Sequence, residues 1–169
     1  MVLGWVAVIV GTGLADDKGS PVSGPVEACT GTLSGTRWCN RENGTIKDMT
    51  TGLVWLQRAD CWGRMRWYEI LPLPFKRLRQ GTCGLEDGSR WGDWRAPTRK
   101  ELTALTRGPD AIRSKSPGPF SGLQSVYYWT ATTRADNRDA AWSVNMLSGT
   151  EVSSPKHMMY YLWPVRNDD

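Results

Sequence analysis

Three carboxylates in a glycine-rich segment are the first residues whose types suggest chemistry. Glu86, Asp87 and Asp93 lie close together in the chain, and general acid–base catalysis commonly uses paired carboxylates in a cleft. Arg90 and Arg95 lie close to them in the chain, and aspartates in such loops more often cap turns or form ion pairs. We therefore expect these residues to stabilise a loop, with Arg95 paired to Asp93 or Asp87, and not to catalyse a reaction.

The chain offers little else for catalysis or metal binding. Its single histidine, His157, follows Lys156 in a predicted loop, which is typical of an exposed side chain. Gly-x-Ser-x-Gly, P-loop and dinucleotide-binding patterns are absent. A zinc site lacks ligands, because there is no Cys-x-x-Cys pair to join the one histidine. The sequence thus predicts a protein that is not an enzyme, that has no zinc or catalytic metal site and that uses no cofactor.

Two groups of basic residues favour anion binding, because arginine forks match sulfate and carboxylate groups. The first group lies in the most basic part of the chain and comprises Arg64, Arg66, Lys76, Arg77 and Arg79. The second group lies on two loops that join the last strands and comprises Arg134, Arg138, Lys156 and His157. We expect the second group to share one rim and to form the ligand surface. Solvated charges that serve solubility are the alternative for each residue.

Tryptophan is unusually frequent, with ten residues against two phenylalanines. Trp62, Trp67 and Trp91 lie in basic or loop regions, which makes them candidates for stacking on a sugar ring or for an interface. Five others lie in segments that predict burial in the core: Trp55, Trp94, Trp129, Trp142 and Trp163. The net charge of +4 favours acidic partners such as sulfated or uronic glycans, anionic cell surfaces or nucleic acid.

One short helix is expected to anchor this arrangement. Thr98 and Glu101 have the Thr-x-x-Glu spacing of a capping box, in which each side chain accepts a hydrogen bond from the other residue's backbone. Leu102 and Leu105 then fall on one face, and Gly108 with the proline after it ends the helix. The pattern predicts a helix over residues 99–107.

The remaining elements are predicted strands. Residues 44–57 hold two apolar runs around a "TTG" turn, which predicts a hairpin. Further strands are predicted at residues 125–133, 140–147, 151–154 and 160–166. The second of these alternates in character, so that one face is apolar and the other polar. The apolar face comprises Trp142, Val144 and Met146, and the polar face Ala141, Ser143 and Asn145.

The beginning of the chain predicts export. Residues 1–15 are apolar and uncharged, with the length of the apolar region of a signal peptide. A buried first strand is the alternative, since "VAVIV" has high strand propensity. Residues 16–42 follow as a polar arm or linker. Export to the periplasm, the cell surface or the extracellular space argues against nucleic acid as the partner, and leaves no transmembrane segment in the mature chain.

Four cysteines agree with export, because disulfides persist in oxidising compartments. Cys29, Cys39, Cys61 and Cys83 can pair in three ways. We favour nearest-neighbour pairing, which joins Cys29 to Cys39 and Cys61 to Cys83.

Several motifs occur in an order that resembles a known family. These are "NGTIKDMTTGLVWLQ", "CGLEDGSRWGDWRAPTRKEL", "YYWTATT", "AAWSVNMLSGTEVSS" and "YYLWPVR". They resemble the C-terminal domain of the Legionella collagen-like adhesin (Lcl) over about residues 43–167, and we assign the domain to residues 43–169. The resemblance implies an α+β, C-type-lectin-like fold with twisted antiparallel strands, one or two short helices and long loops. It also implies binding of sulfated glycosaminoglycans and a trimeric homo-oligomer.

The sequence departs from calcium-dependent lectins of this fold in one respect and from similar sequences of the family in another. Calcium-dependent lectins of this fold hold sugar with Glu-Pro-Asn or Gln-Pro-Asp and Trp-Asn-Asp motifs, and neither is present. A structural calcium held by loop carbonyls and Asp87 or Asp93 stays open. Pro72 and Pro74 also interrupt a segment that is an uninterrupted helix in similar sequences.

We therefore predict an exported, non-enzymatic binding module that recognises an acidic glycan or another surface molecule without calcium. The alternative is a structural subunit of a cell-surface or extracellular assembly, in which tryptophans fill an interface between copies.

Overall fold

The computed structural model describes residues 28–70 and 77–168, and its strands form two five-stranded sheets. In chain order these strands are β1 (Thr32–Ser34), β2 (Trp38–Asn40), β3 (Thr45–Asp48), β4 (Val54–Leu56), β5 (Arg64–Arg66), β6 (Tyr127–Arg134), β7 (Asn137–Asn145), β8 (Glu151–Pro155), β9 (Met159–Tyr161) and β10 (Val165–Arg166). A 3₁₀ helix spans Trp67–Glu69, and the α-helix α1 spans Arg99–Leu105. The predicted signal peptide lies outside the described residues.

The first sheet has the order β1-β2-β3-β4-β10, with antiparallel neighbours throughout. The predicted hairpin at residues 44–57 is confirmed as β3 and β4, with Ile46 opposite Trp55. Its turn closes where the Gly52 amide donates to the Asp48 carbonyl at 2.8 Å, and Gly52 takes the left-handed backbone (φ +73°) that glycine tolerates best. Every residue of β3 and β4 is buried, so both faces of this hairpin are covered.

The second half of the predicted arm belongs to the first sheet. Residues 28–42 carry β1 and β2, and β2 pairs with β3. A disulfide joins Cys29, which precedes β1, to Cys39 in β2. The rest of the predicted arm, residues 16–27, lies outside the described residues.

The second sheet has the order β5-β9-β6-β7-β8. Its pairs are antiparallel except that of β6 with β9, which is joined by one parallel pairing of Tyr128 with Tyr161. The three strands predicted at residues 125–133, 140–147 and 151–154 are confirmed as β6, β7 and β8 within a few residues.

The strand predicted at residues 160–166 is wrong as a continuous element. The chain leaves the second sheet after Tyr161 and enters the first at Val165. Pro164 lies between them, and proline has no amide proton for a sheet ladder. The Trp163 indole donates to the Leu56 carbonyl at 2.7 Å and fixes the crossing in the core. This crossing ties the two sheets together.

Two clusters of buried side chains form the core. The larger packs Trp38, Trp55, Trp94, Trp163 and Phe120 together with aliphatic side chains of both sheets and α1. The smaller cluster comprises Trp67, Ile70, Ala96, Trp129, Ala141 and Leu162. Four of the five tryptophans predicted for the core are therefore buried.

Trp142 is the exception, because it is only partly buried. Val144 and Met146, on the same face of the strand predicted at residues 140–147, are fully buried in the larger cluster. The Arg99 side chain, at the start of α1, covers one face of the Trp142 ring. Its guanidinium carbon lies 3.4 Å from the ring centroid. The polar face of this strand is not simply a solvent-facing one, since Ser143 is fully buried and its hydroxyl lies 3.3 Å from the Ser154 hydroxyl.

None of the helices in the described part of the chain is long and apolar enough to cross a membrane.

Candidate functional site

The segment before α1 is scaffold, as its capping pattern predicts. The Thr98 hydroxyl accepts from the Glu101 amide at 3.3 Å, and the Glu101 carboxylate accepts from the Thr98 amide at 2.7 Å. Arg95 forms a bidentate ion pair with Glu101 at 2.7 and 2.8 Å, so its predicted pairing with Asp93 or Asp87 is wrong. Burial would raise the pKa of Glu101, but the bonds from Arg95 and Thr98 outweigh it and hold that pKa below its usual value.

The acidic residues of the preceding loop cap turns and form ion pairs. Asp87 accepts from the Ser89 amide at 3.1 Å and from the Arg166 guanidinium at 3.2 Å. Asp93 accepts from the Arg90 amide at 2.7 Å. Within residues 28–70 and 77–168, no three His, Cys, Asp or Glu side chains come close enough together to hold a metal ion.

The second basic group is brought to one place but does not form one cationic rim. The Lys156 amide donates to the Asp139 carbonyl at 2.8 Å, which places the β8–β9 turn beside the start of β7. Lys156 itself is only 6% exposed, with its ammonium 3.7 Å from the centroid of the Trp67 ring. Its side chain is therefore out of reach of a ligand, contrary to the prediction.

The other members of this group are exposed. Arg134 forms an ion pair with Asp136, at 2.9 Å in the longer of its two contacts, so its charge is locally compensated. Arg138 and His157 are exposed on the same end of the sheet.

The first basic group is divided between two surfaces. Arg64 and Arg66 are exposed on β5, at the edge of the second sheet. Arg77 and Arg79 are exposed on the loop that leads toward α1. Lys76 lies outside the described residues.

Of the three tryptophans proposed for stacking, one is not available to a ligand and a second is only partly exposed. Trp67 is 7% exposed, and its indole donates to the Thr130 carbonyl at 2.8 Å, so its assignment as a ligand contact is wrong. The reason is that the 3₁₀ helix turns this ring into the smaller core cluster. Trp62 is partly buried and packs against the larger one.

Trp91 differs, because 65% of its surface is exposed. The Arg79 guanidinium carbon lies 5.1 Å from the centroid of its ring. Together with neighbouring polar residues it lines an open depression of about 460 Å³. We define the Trp91 surface as Arg79, Gln80, Ser89, Arg90 and Trp91.

Backbone contacts hold the Trp91 surface in place. The Gln80 amide donates to the Ser89 carbonyl at 3.0 Å and joins the two chain segments that form it. Buried anchors lie beside it, with Leu78 fully buried on one side and Trp94 1% exposed on the other. A disulfide between Cys61 and Cys83 ties the intervening loop to the body of the domain. Both disulfides match the pairing favoured from the sequence.

The side chains of the Trp91 surface include two cations, and the nearby Asp93 carboxylate accepts from the Arg90 backbone amide and not from its guanidinium. Arg79 and Arg90 form no ion pair with any residue that the structure describes. Each therefore keeps guanidinium donors for an external acceptor beside an exposed ring. Sequence reasoning named Arg79 and Trp91 as candidate ligand contacts, assigned Arg90 to stabilising the loop, and missed Gln80 and Ser89. The adjacency of Arg90 to a tryptophan in a glycine-rich loop was the available signal.

Comparison with known proteins identifies the family. The profile of the Lcl C-terminal domain matches residues 44–166, which is more than half of the chain. No curated protein matches the chain at a significant level. The matched segment includes β3 to β10, α1 and the Trp91 surface. The resemblance read from the sequence motifs is thereby confirmed, and the chain belongs to the Lcl C-terminal domain family.

Proposed function

We propose that this protein is a non-enzymatic binding module that recognises an acidic glycan, sulfated or carboxylated, through the Trp91 surface and without calcium. The observation that carries the proposal is the 65% exposure of Trp91 between Arg79 and Arg90, on a loop anchored in the core. Family membership supports an adhesin-related module.

A ligand that covers the exposed indole would gain free energy from the surface that it buries. Burying apolar surface yields about 25 cal/mol per Å², and tryptophan is enriched at interfaces because its ring is apolar while its N–H can bind an acceptor. The apolar face of a sugar ring would cover Trp91, while the arginine forks would bind its sulfate or carboxylate groups. These groups would supply the binding energy without a metal ion.

Two further properties belong to this proposal. We propose a C-type-lectin-like fold, which two small sheets, one short helix and a long loop tied by the Cys61–Cys83 disulfide support. We also propose export, since two disulfides are typical of oxidising compartments.

Removal of the Trp91 surface tests the proposal. Calorimetric titration with a heparin-derived oligosaccharide should show affinity reduced about tenfold in Arg79→Gln/Arg90→Gln, because two charge-assisted contacts are lost. Trp91→Ala should weaken binding by a similar factor. A chelator should leave the affinity of the native protein unchanged.

A matched control separates this surface from general positive charge. Arg64→Gln/Arg138→Gln also removes two exposed cations, from β5 and from the start of β7. It should keep near-native affinity at physiological salt. Equal losses in the two double variants would show that binding follows net charge alone, and would refute a site at Trp91.

Exposed apolar side chains elsewhere favour a second candidate function, that of a subunit in an assembly. Tyr68 is 56% exposed, Met158 39% and Met159 51%. They lie on two segments that are joined where the Trp67 amide donates to the Lys156 carbonyl at 3.0 Å. Sedimentation of the native chain and of Met159→Glu tests this candidate. A native oligomer that the variant dissociates would support it, and a native monomer would refute it.

A further inference from the structure

A second cationic concavity lies between α1 and β8, and it belongs to neither of the basic groups identified from the sequence. Its volume is about 370 Å³. We define the α1–β8 groove by its lining residues, which are Arg99, Lys100, Thr103, Ala104, Arg107 and Glu151.

One carboxylate holds two arginines in this groove. Glu151 accepts from the Arg99 Nε through one oxygen and from an Arg107 terminal nitrogen, at 3.0 Å, through the other. The Glu151 side chain is 16% exposed. Its burial would raise the pKa of the carboxyl, but the bond and charge of Arg99, with Arg107 behind it, lower that pKa overall. Glu151 is thus a clamp that contacts both guanidinium groups at once, with the Arg107 side chain still 71% exposed.

Arg99 is fixed from a second direction. Its guanidinium carbon lies 3.4 Å from the centroid of the Trp142 ring. A guanidinium that stacks on an aromatic ring keeps its edge free for hydrogen bonds. The backbone amide of Arg99 also donates to the Thr132 hydroxyl at 2.9 Å. Arg99 is therefore a preorganised donor whose side chain is still 39% exposed.

The charge of the groove is not balanced by Glu151. Three cations, Arg99, Lys100 and Arg107, line it with a single carboxylate. Lys100 is exposed and forms no ion pair within residues 28–70 and 77–168. A guanidinium has five N–H donors, and Glu151 takes one from each arginine. The remaining donors belong to side chains that line the groove, and its three cations and one carboxylate leave an excess of two positive charges.

We propose that the α1–β8 groove binds a phosphate group. A phosphate monoester carries nearly two negative charges and three acceptor oxygens, which match the charge and donors of the groove. A single carboxylate would leave one charge uncompensated. A sugar ring has no aromatic face to stack on here, because Arg99 already covers Trp142. The groove thus differs in ligand chemistry from the Trp91 surface, and the two proposals do not depend on each other.

Titration with inorganic phosphate, followed by amide chemical shifts, tests the proposal. We expect saturable shifts at Lys100, Thr103 and Arg107, and weaker binding of acetate. Lys100→Gln/Arg107→Gln should reduce phosphate affinity about tenfold or more, while it leaves the Arg99–Trp142 contact and the Glu151 clamp on Arg99 in place. Arg64→Gln/Arg138→Gln, which removes the same number of charges elsewhere, should bind phosphate as the native protein does.

A second titration distinguishes a free phosphate ester from a lipid headgroup as the ligand of the groove. Glycerol 3-phosphate represents a free ester, and phosphatidylcholine vesicles with and without phosphatidic acid represent a lipid headgroup. Loss of binding in Lys100→Gln/Arg107→Gln for either probe would support the groove and identify the source. Shifts that do not saturate, or equal affinity in native protein and both double variants, would overturn it. Because the probes lack a glycan, this result is independent of the outcome at the Trp91 surface.

Discussion

Trp67 and Trp91 each lie against a cation, and of these two rings only Trp91 is accessible to a ligand. Trp67 is 7% exposed with the Lys156 ammonium 3.7 Å from its ring, whereas Trp91 is 65% exposed with Arg79 at 5.1 Å. The Trp67 indole also has an internal acceptor, the Thr130 carbonyl at 2.8 Å. The difference shows that a cation beside a tryptophan serves packing when the indole is satisfied inside the protein. It becomes a candidate binding surface when the ring faces solvent.

The largest expected effect is on stability, and it separates the two rings directly. Trp67→Ala should lower the free energy of unfolding by about 3–5 kcal/mol, because it leaves a cavity in the smaller core cluster and orphans the Thr130 carbonyl. Trp91→Ala should change it by less than about 0.5 kcal/mol, as for most exposed positions. Urea unfolding measures both. A large loss for Trp91→Ala would show that this ring supports the fold.

The two disulfides sharpen the comparison, since only one of them ties down the loop of the Trp91 surface. Cys61→Ser/Cys83→Ser should cost about 2–4 kcal/mol of stability and should also weaken glycan binding at temperatures where the domain stays folded. Cys29→Ser/Cys39→Ser is the control, because that bridge lies across β1 and β2. It should lower stability and leave binding intact. Equal effects on binding would contradict a role for the loop.

Acid should lower the stability of the fold through protonation of Asp168, while Arg79 and Arg90 on the Trp91 surface keep their charges. Hydrogen bonds from Arg41 and Lys47 lower the pKa of Asp168 from 3.8 to about 2. Because the folded pKa is depressed, this stabilisation is present above about pH 4 and is lost as the pH falls toward 2. It amounts to about 1–2 kcal/mol. Asp168→Asn should remove that part of the pH dependence in unfolding experiments. An unchanged pH profile would mean that Asp168 is not paired in solution.

The smallest expected effect compares the two cations. Arg79→Met should weaken binding of a heparin-derived oligosaccharide about fivefold, roughly 1 kcal/mol, because an exposed guanidinium is lost from the ligand surface. Lys156→Met should leave binding unchanged, since the ammonium is buried against Trp67. Calorimetry measures both affinities. Weaker binding in Lys156→Met alone would restore the rim predicted from the sequence as the ligand surface.

Local patterns predicted local structure well. The Thr98–Glu101 capping box is confirmed because both of its partners lie within one helical turn. The hairpin around Gly52 is confirmed for the same reason, as its turn chemistry is contained in a few residues. Nearest-neighbour pairing of the cysteines also matches the structure.

Properties that depend on long-range packing were not predictable from these patterns. The burial of Lys156 requires the β8–β9 turn to meet the 3₁₀ helix, which is far away in the chain. Arg95 forms its ion pair with Glu101 and not with a neighbouring aspartate. Asp87 accepts instead from the Arg166 guanidinium, and Asp93 accepts from the Arg90 backbone amide. The α1–β8 groove likewise depends on Glu151 reaching back to a helix that precedes it by many residues.

The central claim, a glycan site at the Trp91 surface, is tested most directly by mapping a sulfated oligosaccharide onto the protein with NMR. The indole N–H of Trp91 and the guanidinium signals of Arg79 and Arg90 should shift in a saturable manner, with small changes at Arg138 and His157. The same pattern should persist in the presence of a chelator. Saturable shifts confined to Arg134, Arg138 and His157, with Trp91 unaffected, would contradict the account and place the ligand on the end of the second sheet.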